Sequence, residues 1–272
     1  VTILVAGHYC HDTLLGNAGA QRRLGGSAAY ASAILDALGE PYRVVAKVGE
    51  DFLHGEEVSR KPLVAPGRTT AFIVDYRGPE RHERVEAVAA PIAPGDLQGE
   101  YEVGLACAVA GELPVQTLQR LRQISRVVVA DAQSVLREIS PEGEVRLRAA
   151  PPAALEAIDF LKASCAEAEI LDVASLRRTL VLLVTDGPRG CTVLGRDVEL
   201  RIPAEPAEES DPTGAGDCFL AGFAAGLARG LPLAEAASLG AWCGARAVEH
   251  VGVPRLDAGQ ARAALRTFLP SR

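Results

Sequence analysis

The chain has 272 residues, 48% of them apolar and 23% charged, with a formal net charge of −7. That is enough for a large core in one α/β unit with a small appendage. An acidic balance with no run of Lys and Arg argues against a nucleic-acid partner, and no apolar stretch reaches membrane-spanning length, so the expected partner is a small molecule.

Aromatics make up only 4% while Gly and Ala are abundant, a profile of helices packed closely on a sheet rather than of an aromatic-rich sandwich. Six cysteines stand singly in apolar or small-residue surroundings and read as reduced core thiols of a cytoplasmic protein. No signal peptide is expected; the sequence opens directly in a strand and contains no Met, which points to a missing N-terminal piece.

Residues 1–7 form a β-rich run ending in glycine, as buried parallel strands do, and His8 to Asp12 follow at the edge where open α/β sheets bind ligands. Asp12 reads as a surface turn residue. His8, Cys10 and His11 lack a second ligand pair, so no metal site is expected there. Residues 13–24, with Gly16, Asn17 and Gly19, read as a hairpin. Gly25 and Gly26 open a small-residue helix that stops at Gly39, and such a pair lets a ligand touch backbone. Residues 42–48 read as a strand, with Lys47 either solvated or reaching a substrate. A second hairpin pairs 69–75 with 85–88 across the charged turn Arg77-Gly78-Pro79-Glu80.

From Pro94 onward strands over 103–110, 127–131, 160–164 and 181–185 alternate with helices such as 115–123, the pattern of a doubly wound, mostly parallel sheet. Glu112 and Asp131 follow strand ends and read as solvated residues there. Glu167 reads as an exposed acid at a helix start. Thr185, Gly187 and Gly190 form a strand end and glycine-rich turn. No Gly-x-x-x-x-Gly-Lys-Ser/Thr is present, which excludes a P-loop, and the dinucleotide fingerprint is missing after the first strand.

Asp211-Pro212-Thr213-Gly214-Ala215-Gly216-Asp217 precedes an apolar run over 218–228 that reads as a buried helix. Its glycines let amides point one way, and the helix's free first-turn donors face the same spot, which makes an anion hole. Asp217 on its rim suits work on a hydroxyl that attacks a phosphate; the bland reading is a tight turn with an acid in the first helical turn. Gly230 and Pro232 mark a turn, 233–248 is an alanine-rich helix with Trp242 in its packing, and an amphipathic helix closes at Pro270.

The run 211–224 resembles the second signature of the PfkB (ribokinase-like) carbohydrate kinases at every specified position. Gly25-Gly26 through Gly39 and Gly49 resembles the first, with Tyr30 where that pattern has Asn. The resemblance implies one kinase domain over 1–272, an α/β ribokinase-like fold with helices on both sheet faces and a small β lid formed by about 12–24 and 68–90. A lid keeps water from competing as phosphoryl acceptor. It implies Asp217 as general base and the backbone of Gly214, Ala215 and Gly216 as anion hole. Asp12, Gly25, Gly26, Lys47, Glu112 and Asp131 become substrate contacts. ATP falls to Ser164 (where the family has Asn of Asn-x-x-Glu), Thr185, Gly187, Gly190, Gly214, Gly216 and Gly252. Mg²⁺ is influenced by Glu167 through water, and relatives that bind a monovalent cation use backbone near Gly252. Gln133 and Arg137 depart from the family's Asp-x-Asn-x-Arg pattern.

Residues 8–12, 45–49, 64–66, 111–114 and 160–164 together resemble the branch of the family that phosphorylates myo-inositol, implying a neutral polyol substrate. The acceptors Asp12, Glu112 and Asp131 and the Gly25-Gly26 donors suit hydroxyls but do not choose inositol over a sugar or nucleoside. Phosphoryl transfer has a loose transition state, for which an aspartate of ordinary pKa suffices. A catalytically silent binding protein of the same fold is the reading from another class.

Overall fold

The computed structural model describes residues 2–16, 19–75, 77 and 82–269. The expected turns at Asn17 and at 78–80, the strand start at Val1 and the helix end at Pro270 lie outside the described residues.

Strand β1 (Ile3–Gly7) leads into the ribbon β2 (Cys10–Gly16) and β3 (Gly19–Gly25), then helix α1 (Ser27–Leu38) and β4 (Tyr42–Val45). Short β5 (Lys47–Val48) pairs with β6 (Leu63–Val64), and the hairpin β7 (Ala71–Asp75) and β8 (His82–Ala87) follows. Next come β9 (Tyr101–Cys107), α2 (Val115–Ile124), β10 (Ser125–Asp131), α3 (Gln133–Leu136), the ribbon β11 (Arg137–Ile139) and β12 (Val145–Leu147), and α4 (Pro152–Leu155). The chain continues through β13 (Phe160–Ser164), α5 (Cys165–Ala168), α6 (Val173–Leu176), β14 (Val181–Thr185), β15 (Cys191–Leu194) and β16 (Glu199–Ile202). It ends in α7 (Ala215–Ala228), α8 (Leu233–Val248) and α9 (Ala258–Phe268).

The main sheet runs β16-β15-β14-β13-β10-β9-β1-β4, parallel except for the two pairings made by β15. Side chains alternate across it: Ile3 and Val5 enter one core, Leu4 and Ala6 the other. Helices α1, α7, α8 and α9 cover the first face, and α2 and α4 the second, so the sheet is buried on both sides. Helix α7 lies close to α8 because Gly222 faces Cys243 and Gly226 faces Ala236, positions where a Cβ would collide. Phe223 of α7 meets Phe160 of β13 edge-to-face at 5.2 Å and ties that helix to the sheet.

A second sheet, β3-β2-β7-β8, stands beside the main one; β2 and β7 run parallel, from His11↔Ala71 to Leu15↔Asp75. The strand expected over 42–48 divides at Ala46, because Lys47 and Val48 leave the main sheet to pair with Leu63 and Val64. The strand expected to reach residue 110 stops at Cys107, since the Val109 and Ala110 amides turn to the Glu112 carboxylate. Five cysteines are buried as expected; Cys165, at the start of α5, is exposed.

Candidate active site

Parallel pairing brings the carboxyl ends of β1, β10, β13 and β14 to one edge, where a cavity of about 810 Å³ opens. The second sheet walls one side through Asp12, Phe72 and Val74, and the 187–190 turn with the 204–207 segment walls the other.

Gly214 stands between them at φ 76°, ψ 0°, capping α7 in the left-handed region that glycine adopts freely. Any side chain there would enter the Tyr30 ring, so the tyrosine that replaces the family asparagine is packed against the 211–217 loop. The Ala215 amide closes back on the Pro212 carbonyl at 3.3 Å. The expected anion hole is therefore narrower by one donor: the Gly216 and Asp217 amides are the first-turn groups left without an acceptor among the described residues.

Asp217 lies in that first turn and lines the cavity. Burial first, then the Asp131 carboxylate, push its carboxyl from 3.8 up to about 7, against the pull of Lys162 and Arg137. This corrects the expectation of an ordinary aspartate. The pair Lys162 and Asp131, Nζ to Oδ2 2.6 Å, is set by strand register, which puts the two residues side by side on β13 and β10. Lys162 is buried, lines the cavity and presses on Gly216 so closely that a Cβ there would collide with it. Its ammonium keeps a raised pKa because Asp131 and Glu167 outweigh the desolvation that opposes it. Lys162 carries no motif that marks a role, although a lysine inside a strand buried on both faces demands a partner. Arg137 was noted only as a departure, yet it also lines the cavity; its Nη1 donates to the Val109 carbonyl at 3.2 Å and lies 3.8 Å from Glu83 of β8.

Of the other expected residues, Asp12, Gly26, Asp131, Ser164, Glu167, Thr185, Gly187 and Gly190 all line the cavity. Gly25 lies directly under the Asp12 carboxylate, where no side chain fits. Asp131 is nonetheless occupied by protein: Lys162 holds Oδ2, and the Gln133 amide donates to Oδ1 at 3.1 Å. Ser164 caps α5 while Glu167 Oε2 accepts from both the Ser164 amide and its hydroxyl at 2.8 Å. Arg189, in the same turn as Gly187 and Gly190, is paired with Asp186 at 2.6 Å.

Three expected contacts fall elsewhere. Lys47 is ion-paired with Asp96 at 2.7 Å and donates to the Pro91 carbonyl, away from the cavity, because β5 turns outward. Gly252 is not part of the cavity lining, and its amide donates to Asp211 Oδ2 at 3.1 Å. Glu112 is only 1% exposed and fully engaged, accepting from the Thr70 hydroxyl at 2.7 Å and from the Val109 and Ala110 amides at 3.1 and 2.7 Å. Burial raises its carboxyl, but His8 and the Ala110 amide bring it below the usual range.

Glu112 thus pins the base of the second sheet to the main one. Glu112→Ala strands three donors and is expected to cost about 3 kcal/mol or more of stability, measured by urea denaturation at pH 7. Because the folded pKa is lowered, that contribution is present above the ordinary carboxylate pKa and fades as pH falls through the lowered one.

Among the described residues no group of three or more His, Cys, Asp or Glu side chains can hold a metal, and no helix is long and apolar enough to cross a membrane.

Residues 69–256 match the profile of the pfkB family carbohydrate kinase. Inositol 3-kinase of Oryza sativa subsp. japonica is 40% identical over 277 residues, 93% of this chain and 70% of the relative, and the Arabidopsis thaliana inositol 3-kinase is 37% identical over 94% and 76%. A pyrophosphate-dependent kinase in the ribokinase family, complexed with a pyrophosphate analog and myo-inositol, superposes with TM-score 0.79 at 21% identity, covering 98% of this chain and 100% of that one. Ribokinase from Thermotoga maritima superposes with TM-score 0.77 at 17% identity, covering 98% and 99%. Together with the loop at 211–217 and Asp217 at the cavity, the profile match over most of the chain means that this protein belongs to the pfkB family of carbohydrate kinases.

Proposed function

We propose that this chain transfers the terminal phosphoryl group of ATP to one hydroxyl of myo-inositol. The observation that carries the reading is Asp217, held in the first turn of α7 at the cavity with a carboxyl raised to about 7, beside the Gly216 and Asp217 amides. A base poised near working pH and donors aimed at developing anionic charge are what an alcohol needs to attack a phosphate.

Asp217 accepts the proton of the attacking hydroxyl. The two amides and the Lys162 ammonium receive the charge on the transferred group. Asp12, with the backbone of Gly26, orients the polyol, and the sheet β3-β2-β7-β8 acts as a lid that keeps water out. The choice of inositol is supported by relatives named inositol 3-kinase at 37% and 40% identity.

The nucleotide reading is supported by the small residues Ala204, Ala207, Ala241, Gly244 and Ala245 in the cavity lining, which leave room for a base. Pyrophosphate has no need of it. For Mg²⁺ the side chains supply Glu167, with Oε1 unengaged among the described residues, and no cage. This fits an ion that keeps most of its water and is carried on the donor phosphates, where it neutralises their charge. A monovalent cation would sit by Asp211 and Gly252, where the buried Thr213 hydroxyl has no partner among the described residues.

The test is product release with Mg·ATP, and separately with pyrophosphate, across inositol isomers, pentoses, hexoses and nucleosides. Turnover with myo-inositol and ATP at least about tenfold above the other pairs is expected. A preference for a pentose or nucleoside overturns the substrate, a preference for pyrophosphate overturns the donor, and no turnover with any pair supports the silent binding protein.

A further inference from the structure

We infer that Gln133 is a positioning residue for the base. Three hydrogen bonds form one chain at the cavity floor: Lys162 Nζ to Asp131 Oδ2 at 2.6 Å, the Gln133 backbone N–H to Asp131 Oδ1 at 3.1 Å, and Gln133 Nε2 to Asp217 Oδ1 at 3.3 Å. Asp131, itself fixed by Lys162, therefore locks the first residue of α3, and the side chain of that residue reaches Asp217, 84 positions away in sequence.

The consequence is directional. A carboxylate that turns freely about its last bond presents either oxygen to the substrate, and the attacking hydroxyl then meets a base in several orientations. With Oδ1 held by the Gln133 amide, Oδ2 is the oxygen left to take the proton, and a base held in one geometry spares the reaction that search. The same bond favours the ionised carboxylate, because an amide N–H donates to it. The amide therefore works with Lys162 against the burial and the Asp131 charge that raise Asp217. An asparagine at this position is one methylene shorter, so from the same anchored backbone it does not span the gap.

This inference rests on Asp217 as the base, and the test separates the two. The 272-residue chain carrying Gln133→Leu, Gln133→Asn or Asp217→Asn is compared with the parent in pH profiles of kcat and kcat/KM, with melting curves as the folding control. Gln133→Met, which keeps the side-chain length, replaces the leucine variant where that one loosens the fold.

The expected result is a kcat about tenfold lower in both Gln133→Leu and Gln133→Asn, a KM for the nucleotide within about twofold of the parent, and an acid limb of kcat/KM displaced upward by about half a pH unit. A residue that only packs leaves that limb in place. An inactive Asp217→Asn beside a Gln133→Leu protein with unchanged kcat and unmoved limb overturns this inference alone. An active Asp217→Asn overturns the base and the inference with it.

Discussion

Asp217→Asn is expected to lower kcat by about 10³-fold while leaving the binding of nucleotide and polyol within about twofold of the parent, as isothermal titration measures it. Asparagine keeps the size of the side chain and its contact with the Gln133 amide, and removes only the group that takes the proton. The parent's kcat/KM should fall about tenfold per pH unit below a midpoint near the Asp217 value of about 7, and the variant should lack that limb. Turnover within tenfold of the parent would overturn the assignment.

The same substitution should stabilise the fold, and its pH dependence is fixed by the direction of the shift. Asp217 is raised from 3.8 to about 7, so the unfolded chain releases this proton first and stability declines as pH climbs between those two values. Asn carries no such penalty. Above pH 7 the variant should exceed the parent by about 1–3 kcal/mol, because Asp217 keeps some contact with solvent that softens the penalty of its charge. Below pH 4 the two should coincide. Activity and stability pulling in opposite directions at one residue is the mark of a group placed for chemistry rather than for packing.

How much of this was legible in the sequence follows from what each residue's role depends on. The strands at 127–131, 160–164 and 181–185 and the helices opening at Ser27 and Ala215 declare themselves through local chemistry: apolar runs closed by polar residues, glycines where the chain must turn. The glycine loop and Asp217 are equally local. Roles that depend on pairing across the sheet were out of reach. Lys162 looks like any strand lysine until register sets it beside Asp131. Glu112 follows a strand end as a substrate ligand would, but the Val109 and Ala110 amides and the Thr70 hydroxyl enclose it. Lys47 was misplaced for a related reason, since nothing local signals that β5 abandons the main sheet for Leu63 and Val64. Gly252 has its positive φ of 76°, a property readable from its type, yet its amide serves Asp211 and not the cavity.

Lys162→Met carries the second large effect. Methionine fills nearly the same volume, so the substitution removes charge with little loss of packing, and about 10²-fold in kcat/KM is the expected loss when one donor at developing anionic charge disappears. Two consequences separate this from general damage. Lys162 is one of the groups holding Asp217 down, so without it the acid limb of kcat/KM should move to higher pH and the variant should regain part of its deficit at pH 9. The ammonium also has a raised folded pKa; its pairing with Asp131 therefore stabilises the fold below the lysine's ordinary pKa and fades as pH rises through the raised one. The stability deficit of the variant should accordingly be present at pH 7 and 9 and shrink only above about pH 10.5, as melting temperatures across that range will record. Lys162→Arg keeps the charge but replaces a compact ammonium with a planar fork too broad for the space against Gly216. It should preserve the acid limb while losing rate, which distinguishes the electrostatic duty of this residue from its fit. A methionine variant with an unshifted limb and a rate within threefold of the parent would leave Lys162 as nothing more than the partner of a buried aspartate.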